Sequence, residues 1–215
     1  RSETAVNGST SFTEETMAVL EQLVSDETYY TIAQFGGFHD PKAANADVDG
    51  MGLKNTGGFI FYDGNNSQWL DPAKSAARQY LCDLAVDAAE LGIDEILLTD
   101  FGYPTNGKLD KINYGEAGKN ENLLAFLQEM RAALEPYGVG LSVQLPAVVV
   151  TEGREEASGL VLSEIVPVVD RVYAPALPDE AEAMAETIRG IREDVVFVPV
   201  LVEATAETNG NFLLN

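Results

Sequence analysis

The sequence predicts an α/β protein with a parallel sheet, and three observations support this. Segments with the apolar spacing of helices alternate with short apolar runs typical of strands, which is the pattern of repeated βαβ units. The run 96–98 is apolar at consecutive positions, as expected of a strand that is covered on both faces. The chain of 215 residues is long enough for one such core, so we treat residues 1–215 as a single domain.

The predicted elements follow one another in a regular order. They are helix 11–24, strand 29–35, helix 71–92, strand 93–101, helix 120–138, strand 139–150, helix 158–169, strand 170–176, helix 178–193 and strand 195–203. Helix 71–92 has the clearest end signals, because Asp71 is a suitable N-cap, Pro72 takes the first helical position and Gly92 ends the helix. The Gly-, Asn- and Asp-rich stretch 36–70 is longer than most loops, and loops of that length usually build a functional site or are disordered.

The number of strands leaves two architectures open. Five strands are clear, and 211–215 resembles a sixth, although too few residues precede it for the usual crossover helix. A complete (β/α)8 barrel has eight strands and typically about 250 residues. The sheet is therefore either open or a TIM-type barrel that lacks its first two strands.

Composition excludes several classes of function. The chain has 35 acidic and 13 basic residues, a net charge of -22, which disfavours nucleic acids and anionic membrane surfaces but is compatible with neutral sugars. No apolar run approaches the length of a membrane span, so we expect no membrane insertion. Motifs for nucleotides, phosphates and catalytic zinc are absent, so we expect no cofactor and no metal. The one cysteine, Cys82, lies on the apolar face of a predicted helix, and we interpret it as a small core residue.

Four segments resemble those of one protein family. They are "IAQFGGFHDP" at 32–41, "WLDP" at 69–72, "LGIDEILLTDFGYP" at 91–104 and "NFLLN" at 211–215. In the same order they are similar to "IARIVVFKDP", "W-x-DP", "LGFDEIQFDYIRFP" and "GWLLWN" of the glycoside hydrolase-like domain of bacterial surface and secreted proteins. That family is a (β/α)8 barrel distantly related to the α-amylase-like hydrolases.

The resemblance implies a fold and a function. The chain would supply strands three to eight of the barrel, and the missing amino-terminal part of the same barrel would be a partner. The resemblance also implies that the domain acts on a polysaccharide or oligosaccharide outside the cell or at the cell surface. If the chain is an enzyme, the reaction is hydrolysis of an O-glycosyl bond.

The candidate site residues are those at the carboxyl ends of the strands, where βα barrels place their active sites. Glycoside hydrolysis needs two carboxyl groups, about 5–5.5 Å apart for retention or about 6.5–9.5 Å apart for inversion. We expect Asp100 and Glu203 to be this catalytic pair, with Asp40 as a substitute. The candidate substrate-binding residues are Gln34, His39, Asp40, Tyr103, Gln144 and Tyr173.

Departures from the family keep three hypotheses open. The family's aspartate falls on Thr99, and a one-residue offset points Asp100 to the other face of a strand unless a bulge restores it. Two arginines of the family fall on Gly102 and Gln34, and the fifth strand ends on Gln144 where α-amylase-like enzymes place an acid. The chain is thus a glycoside hydrolase, a non-catalytic carbohydrate-binding or structural barrel, or an unrelated open sheet. Asp100 itself is either a working carboxylate or a turn cap.

Overall fold

A computed structural model of the chain describes residues 14–202 and 211–214. Its main sheet has six strands in the order β1-β2-β3-β6-β7-β8, and every adjacent pair is parallel. These strands are β1 Ile32–Gly36, β2 Glu95–Thr99, β3 Gly140–Gln144, β6 Arg171–Pro175, β7 Val196–Leu201 and β8 Leu213–Leu214. A short antiparallel hairpin, β4 Arg154–Glu155 with β5 Leu160–Val161, is separate from this sheet.

Helices connect the strands and cover one face of the sheet. They are α1 Glu14–Val24, α2 Pro41–Ala46, α3 Ser75–Glu90, α4 Lys119–Leu134, α5 Ala147–Glu152, α6 Leu162–Ile165 and α7 Ala181–Arg189, with 3₁₀ turns at Leu109–Lys111, Glu135–Tyr137 and Val166–Val168. The parallel sheet is curled, and helices alternate with its strands, so the prediction of a partial (β/α) barrel is confirmed. Within the predicted sixth strand, Leu213–Leu214 pairs with β7, because Val200 and Leu213 are register partners in a parallel ladder.

The two faces of the sheet have different surroundings. On β2, Ile96 and Leu98 face the helices and belong to the main core, whereas Leu97 packs on the inner face with Tyr173, Val198 and Val200. This alternation is the two-residue period of a strand. Ile32 and Val196 are register partners of Glu95 and Arg171, so they belong to the inner face of the sheet. Their side chains are 42% and 38% exposed. The inner face is therefore open along part of its area, as expected of a barrel that is not closed.

A buried carboxylate stabilises the inner face near the amino ends of the strands. Glu95 is 1% exposed and forms an ion pair with Arg171. The hydroxyls of Tyr30 and Tyr173 donate to its two carboxylate oxygens at 2.8 and 3.0 Å. The guanidinium of Arg171 also lies over the Tyr30 ring, 4.7 Å from its centroid. This cluster links β2 and β6 to the segment that precedes β1.

Proline changes the structure of two predicted elements. The predicted strand 139–150 ends at Gln144, and α5 begins after Pro146, whose fixed φ of -56° suits a helix start. The run Val148–Val150 favours a strand by propensity, but it is helical here because Val149 and Val150 are buried on the core side of α5. The predicted helix 158–169 is also wrong over most of its length, because it contains β5, the short α6 and the 3₁₀ turn that includes Pro167.

The predicted helix 71–92 begins three residues later than Pro72, at Ser75. Asp71 caps a tight turn rather than the helix, because its Oδ1 accepts the N–H of Ala73 at 3.0 Å and its carbonyl accepts the N–H of Lys74. This turn ends the long loop after β1 and fixes the chain against the carboxyl edge of the sheet.

Candidate functional site

The carboxyl ends of β1 and β2 are held together by backbone hydrogen bonds. The N–H of Gly37 donates to the carbonyl of Thr99 at 2.6 Å, and the N–H of Phe38 donates to that of Asp100 at 3.0 Å. This approach requires glycine at position 37, because a Cβ there would lie 2.7 Å from the Cα of Phe101. The contact fixes the geometry of the segment 99–101.

Asp100 has a left-handed backbone conformation, with a φ of 48°. Aspartate adopts this conformation more readily than most residues, but it is still uncommon outside glycine. The left-handed turn interrupts the strand alternation, so Thr99 and Asp100 both line the same cavity. The hydroxyl of Thr99 donates to the carbonyl of Phe35 at 3.2 Å.

The carboxylate of Asp100 is exposed and has no hydrogen-bond or ion-pair partner among residues 14–202 and 211–214. A turn cap accepts backbone N–H groups with its carboxylate, and no such bond is formed by Asp100 in this part of the chain. Within the described residues, the carboxylate of Asp100 therefore does not act as a turn cap.

A cavity of about 670 Å³ lies at the carboxyl ends of the strands, and we call it the mouth cavity. Its polar lining side chains include Gln34, Thr99, Asp100, Gln144 and Glu155, and Trp69 forms part of its wall. None of its lining residues among those described is Lys, Arg or His. Concave sites with a few convergent polar groups are the usual form of small-ligand sites.

Glu155 is the carboxylate that the sequence reasoning missed. It lies in the hairpin β4–β5, which folds over the mouth cavity, and its Oε2 is buried without a hydrogen-bond partner among the described residues. The hydroxyl of Ser158 and the N–H of Gly159 both donate to the carbonyl of Glu155, at 3.2 and 3.0 Å. The residues 151–157 read as a plain connection between a strand and a helix, so the sequence offered no signal for this hairpin.

The same hairpin explains one departure from the family. The N–H of Tyr103 donates to the carbonyl of Ser158 at 2.9 Å, which brings the hairpin against Gly102. A Cβ at Gly102 would lie 3.0 Å from the Cβ of Ser158, so the hairpin leaves little room for a side chain at this position. The glycine in place of the family's arginine is therefore coupled to the position of Glu155.

Three of the predicted substrate-binding residues line the mouth cavity: Gln34, Tyr103 and Gln144. Tyr103 is almost fully buried, and its hydroxyl accepts a hydrogen bond from Nδ2 of Asn122 at 3.0 Å. Burial raises the pKa of Tyr103 well above its usual value, so the phenol stays protonated. The role of these residues in substrate binding stays a prediction.

Asp40, His39 and Tyr173 do not line the mouth cavity. Asp40 caps α2 by accepting the N–H groups of Lys42 and Ala43, and it also accepts the Tyr80 hydroxyl at 3.1 Å. Tyr173 lies on the inner face of the sheet, below the mouth cavity, and its hydroxyl donates a hydrogen bond to Glu95. Glu203 lies outside the described residues, so its pairing with Asp100 stays a prediction.

His39 supports the cavity wall from behind. Its ring stacks on Trp69 with 4.5 Å between centroids, and its Nε2 lies 2.8 Å from the hydroxyl of Ser67. The indole Nε1 of Trp69 donates to Oδ2 of Asp63 at 3.0 Å. Burial raises the pKa of Asp63, but its hydrogen bonds with Ser67, Trp69 and Asn65 outweigh this, so the net pKa is below the usual value. Asp63 is thus an ionised acceptor that fixes Trp69 in the wall.

Among residues 14–202 and 211–214, no three His, Cys, Asp or Glu side chains are grouped as metal ligands. No helix in this part of the chain is long and apolar enough to cross a membrane.

A family model described as "Putative glycosyl hydrolase domain" matches residues 1–180. No curated protein sequence gives a significant match. Among solved structures, a hypothetical protein from Ruminiclostridium thermocellum is similar with 27% identity and a TM-score of 0.51, over 58% of this chain and 64% of that one. The chain therefore spans less than two thirds of the length of this relative.

Two further structures share the fold at lower identity. The sporulation-specific glycosylase ydhD of Bacillus subtilis, itself named as putative, has 12% identity and a TM-score of 0.53, over 89% of this chain and 58% of that one. Aspergillus fumigatus Ega3, solved in complex with galactosamine, has 11% identity and a TM-score of 0.52, over 94% of this chain and 70% of that one. At these identities the similarity shows the barrel fold alone.

Proposed function

Because the chain belongs to this family of glycosyl hydrolase-like domains, we propose that its mouth cavity binds a polysaccharide or oligosaccharide and places a glycosidic bond beside Asp100. The observation that carries the proposal is the carboxylate of Asp100, which has no partner among residues 14–202 and 211–214 and is held in a left-handed conformation in a polar cavity at the carboxyl ends of the strands. Sparsely populated backbone conformations are concentrated at functional sites, where the surrounding contacts maintain them. Here those contacts are the backbone bonds from Gly37 and Phe38.

The lining of the mouth cavity suits a sugar. The amides of Gln34 and Gln144 can each donate to and accept from sugar hydroxyls, and Trp69 offers an aromatic surface to a pyranose ring. The resemblance described in the sequence analysis is to domains of surface and secreted proteins. The proposal therefore includes an extracellular or cell-surface site of action.

Hydrolysis would need a second carboxyl group opposite Asp100. Glu155 lines the same cavity, and Glu203 is the partner expected from the sequence. One group would protonate the leaving oxygen, and the other would act as nucleophile or would activate a water molecule. The separation of the two carboxyl groups would decide between retention and inversion.

A non-catalytic carbohydrate-binding module is the second candidate. Thr99 favours it, because this residue takes the position of the family's aspartate and donates its hydroxyl to the Phe35 carbonyl. Gln144 also favours it, because its amide cannot ionise. Both residues could hold a glycan without cleaving it.

Binding and product formation separate the two candidates. Calorimetry would measure affinity for a panel of cell-wall and other extracellular glycans, and mass spectrometry would detect released sugars. Loss of hydrolysis in Asp100→Asn with retained binding would support the enzyme, whereas binding without products in any variant would support the binding module. Glu116→Gln is the matched control, because this exposed carboxylate lies outside the cavity lining. If no glycan binds, the proposed function is wrong.

A further inference from the structure

The charge of the mouth cavity points to a narrower class of ligand, and this inference rests on the proposed function. Among the described lining residues the only carboxylates are those of Asp100 and Glu155, and none of these described residues can carry a positive charge. We infer that the mouth cavity prefers glycans with free amino groups, such as de-N-acetylated amino sugars, over neutral and N-acetylated glycans. The ammonium group of the sugar would lie between the hairpin β4–β5 and the end of β2.

Glu155 supplies the first argument. Its Oε2 has no hydrogen-bond partner among the described residues although it is shielded from solvent. Buried polar atoms in native proteins almost always have a hydrogen-bond partner, so we expect this oxygen to accept a hydrogen bond from a ligand. An ammonium group has three N–H donors and a positive charge, which makes it a strong partner for a carboxylate.

Asp100 supplies the second argument, because it presents to the same cavity another carboxylate that has no partner in the described part of the chain. The basic side chains on and beside the hairpin are directed elsewhere. Lys119 donates to the carbonyls of Glu156 and Ala157, at 2.9 and 3.0 Å, and Arg154 lies 4.0 Å from Glu156. The charge of the cavity is thus not neutralised by these neighbours.

A metal ion is a less suitable occupant than an ammonium group. Calcium takes six to eight oxygen ligands, of which carboxylates form the core. The described lining of the mouth cavity offers two carboxylates, and the same part of the chain holds no group of three His, Cys, Asp or Glu residues that could bind a metal ion.

The whole chain adds a long-range contribution. A net charge of -22 attracts a cationic polymer and repels polysaccharides that carry carboxylate or sulfate groups. Such steering acts over about a Debye length, roughly 10 Å at 0.1 M salt, so binding should weaken as salt is added.

The test compares matched oligosaccharides that differ only at the amino group. Calorimetry would measure binding of tetramers of glucosamine and of galactosamine against the same tetramers fully N-acetylated, at low and at high salt. We expect at least one amine-bearing tetramer to bind about tenfold more tightly than its N-acetylated form, and the difference to shrink at high salt. Equal or tighter binding of the N-acetylated forms would overturn the inference while leaving the proposed function intact. Failure of every glycan to bind would count against both.

Amino-acid substitutions would test which residues cause the preference for amine-bearing glycans. Glu155→Gln and Asp100→Asn should each reduce the preference for the amine, and together they should abolish it. Glu152→Gln removes the same charge from α5 outside the cavity lining and should leave the preference unchanged. Circular dichroism would establish that each variant is folded. A folded Glu155→Gln, Asp100→Asn double variant that keeps the full preference would refute the placement of the ammonium group.

Discussion

Replacement of Arg171 by methionine would test the role of the buried carboxylate Glu95. Methionine keeps most of the length of the side chain but removes its charge, so Glu95, which is 1% exposed in the native structure, would lose its ionic partner. Breaking a buried ion pair by removing one partner costs about 3–5 kcal/mol. The low end applies here, because Arg171 is 30% exposed and the hydroxyls of Tyr30 and Tyr173 still donate to the carboxylate. We therefore expect Arg171→Met to lower the free energy of unfolding by about 3 kcal/mol.

Urea unfolding followed by circular dichroism would measure this loss. With a urea dependence of about 2–3 kcal/mol per molar, the midpoint should fall by about 1–1.5 M. Arg189→Met is the control, because Arg189 pairs with the exposed Glu182 and such surface pairs are worth about 0–1 kcal/mol. The double variant Glu95→Gln, Arg171→Met should be more stable than Arg171→Met, since it leaves no unpaired buried charge. A loss below about 1 kcal/mol in Arg171→Met would refute the reasoning.

Three further predictions concern the edge of the sheet and the core. Gly37→Ala should lower the free energy of unfolding by about 2 kcal/mol or more, because the new Cβ would lie 2.7 Å from the Cα of Phe101. Gly36→Ala is the control and should have little effect, since a Cβ there meets only an ordinary contact. Thermal unfolding would compare the two variants. Asp100→Val should be about 1–2 kcal/mol less stable than Asp100→Gly, because a β-branched residue is strained at a φ of 48°. Burial raises the pKa of the Cys82 thiol to about 12, so a thiol reagent should react only after unfolding.

Equal stability of the two variants in either pair would contradict the corresponding prediction. For Cys82, complete labelling of the folded chain within minutes would contradict its burial in the core.

Much of the fold could be predicted, because its signals are local. Short apolar runs marked the strands, and the alternation of strands with helices indicated a parallel sheet. The end of each apolar run also indicated the carboxyl edge of the sheet, which is why Gln34, Asp100 and Gln144 were picked out and all line the mouth cavity. Family resemblance favoured a barrel over an open sheet without excluding the latter, and the curled sheet of the structure confirms a partial barrel.

The rest depends on contacts between distant segments. The left-handed conformation of Asp100 follows from the approach of Gly37, some sixty residues earlier in the chain, and the alternation rule for strands could not reveal it. Glu155 reaches the mouth cavity because Ser158 binds the backbone of Tyr103, and neither residue carries a pattern that indicates this pairing. The β-branched run Val148–Val150 misled the assignment, since tertiary burial outweighed its strand propensity.

Trp69 gives the mouth cavity an optical reporter. It is the one tryptophan of the chain, so all indole emission of the protein comes from the cavity wall. Its indole N–H donates to Asp63 and one of its faces is covered by His39, so the ring is held in place beside the cavity. A sugar that displaces water from the indole should shift the emission to shorter wavelength, which allows binding to be followed without a label.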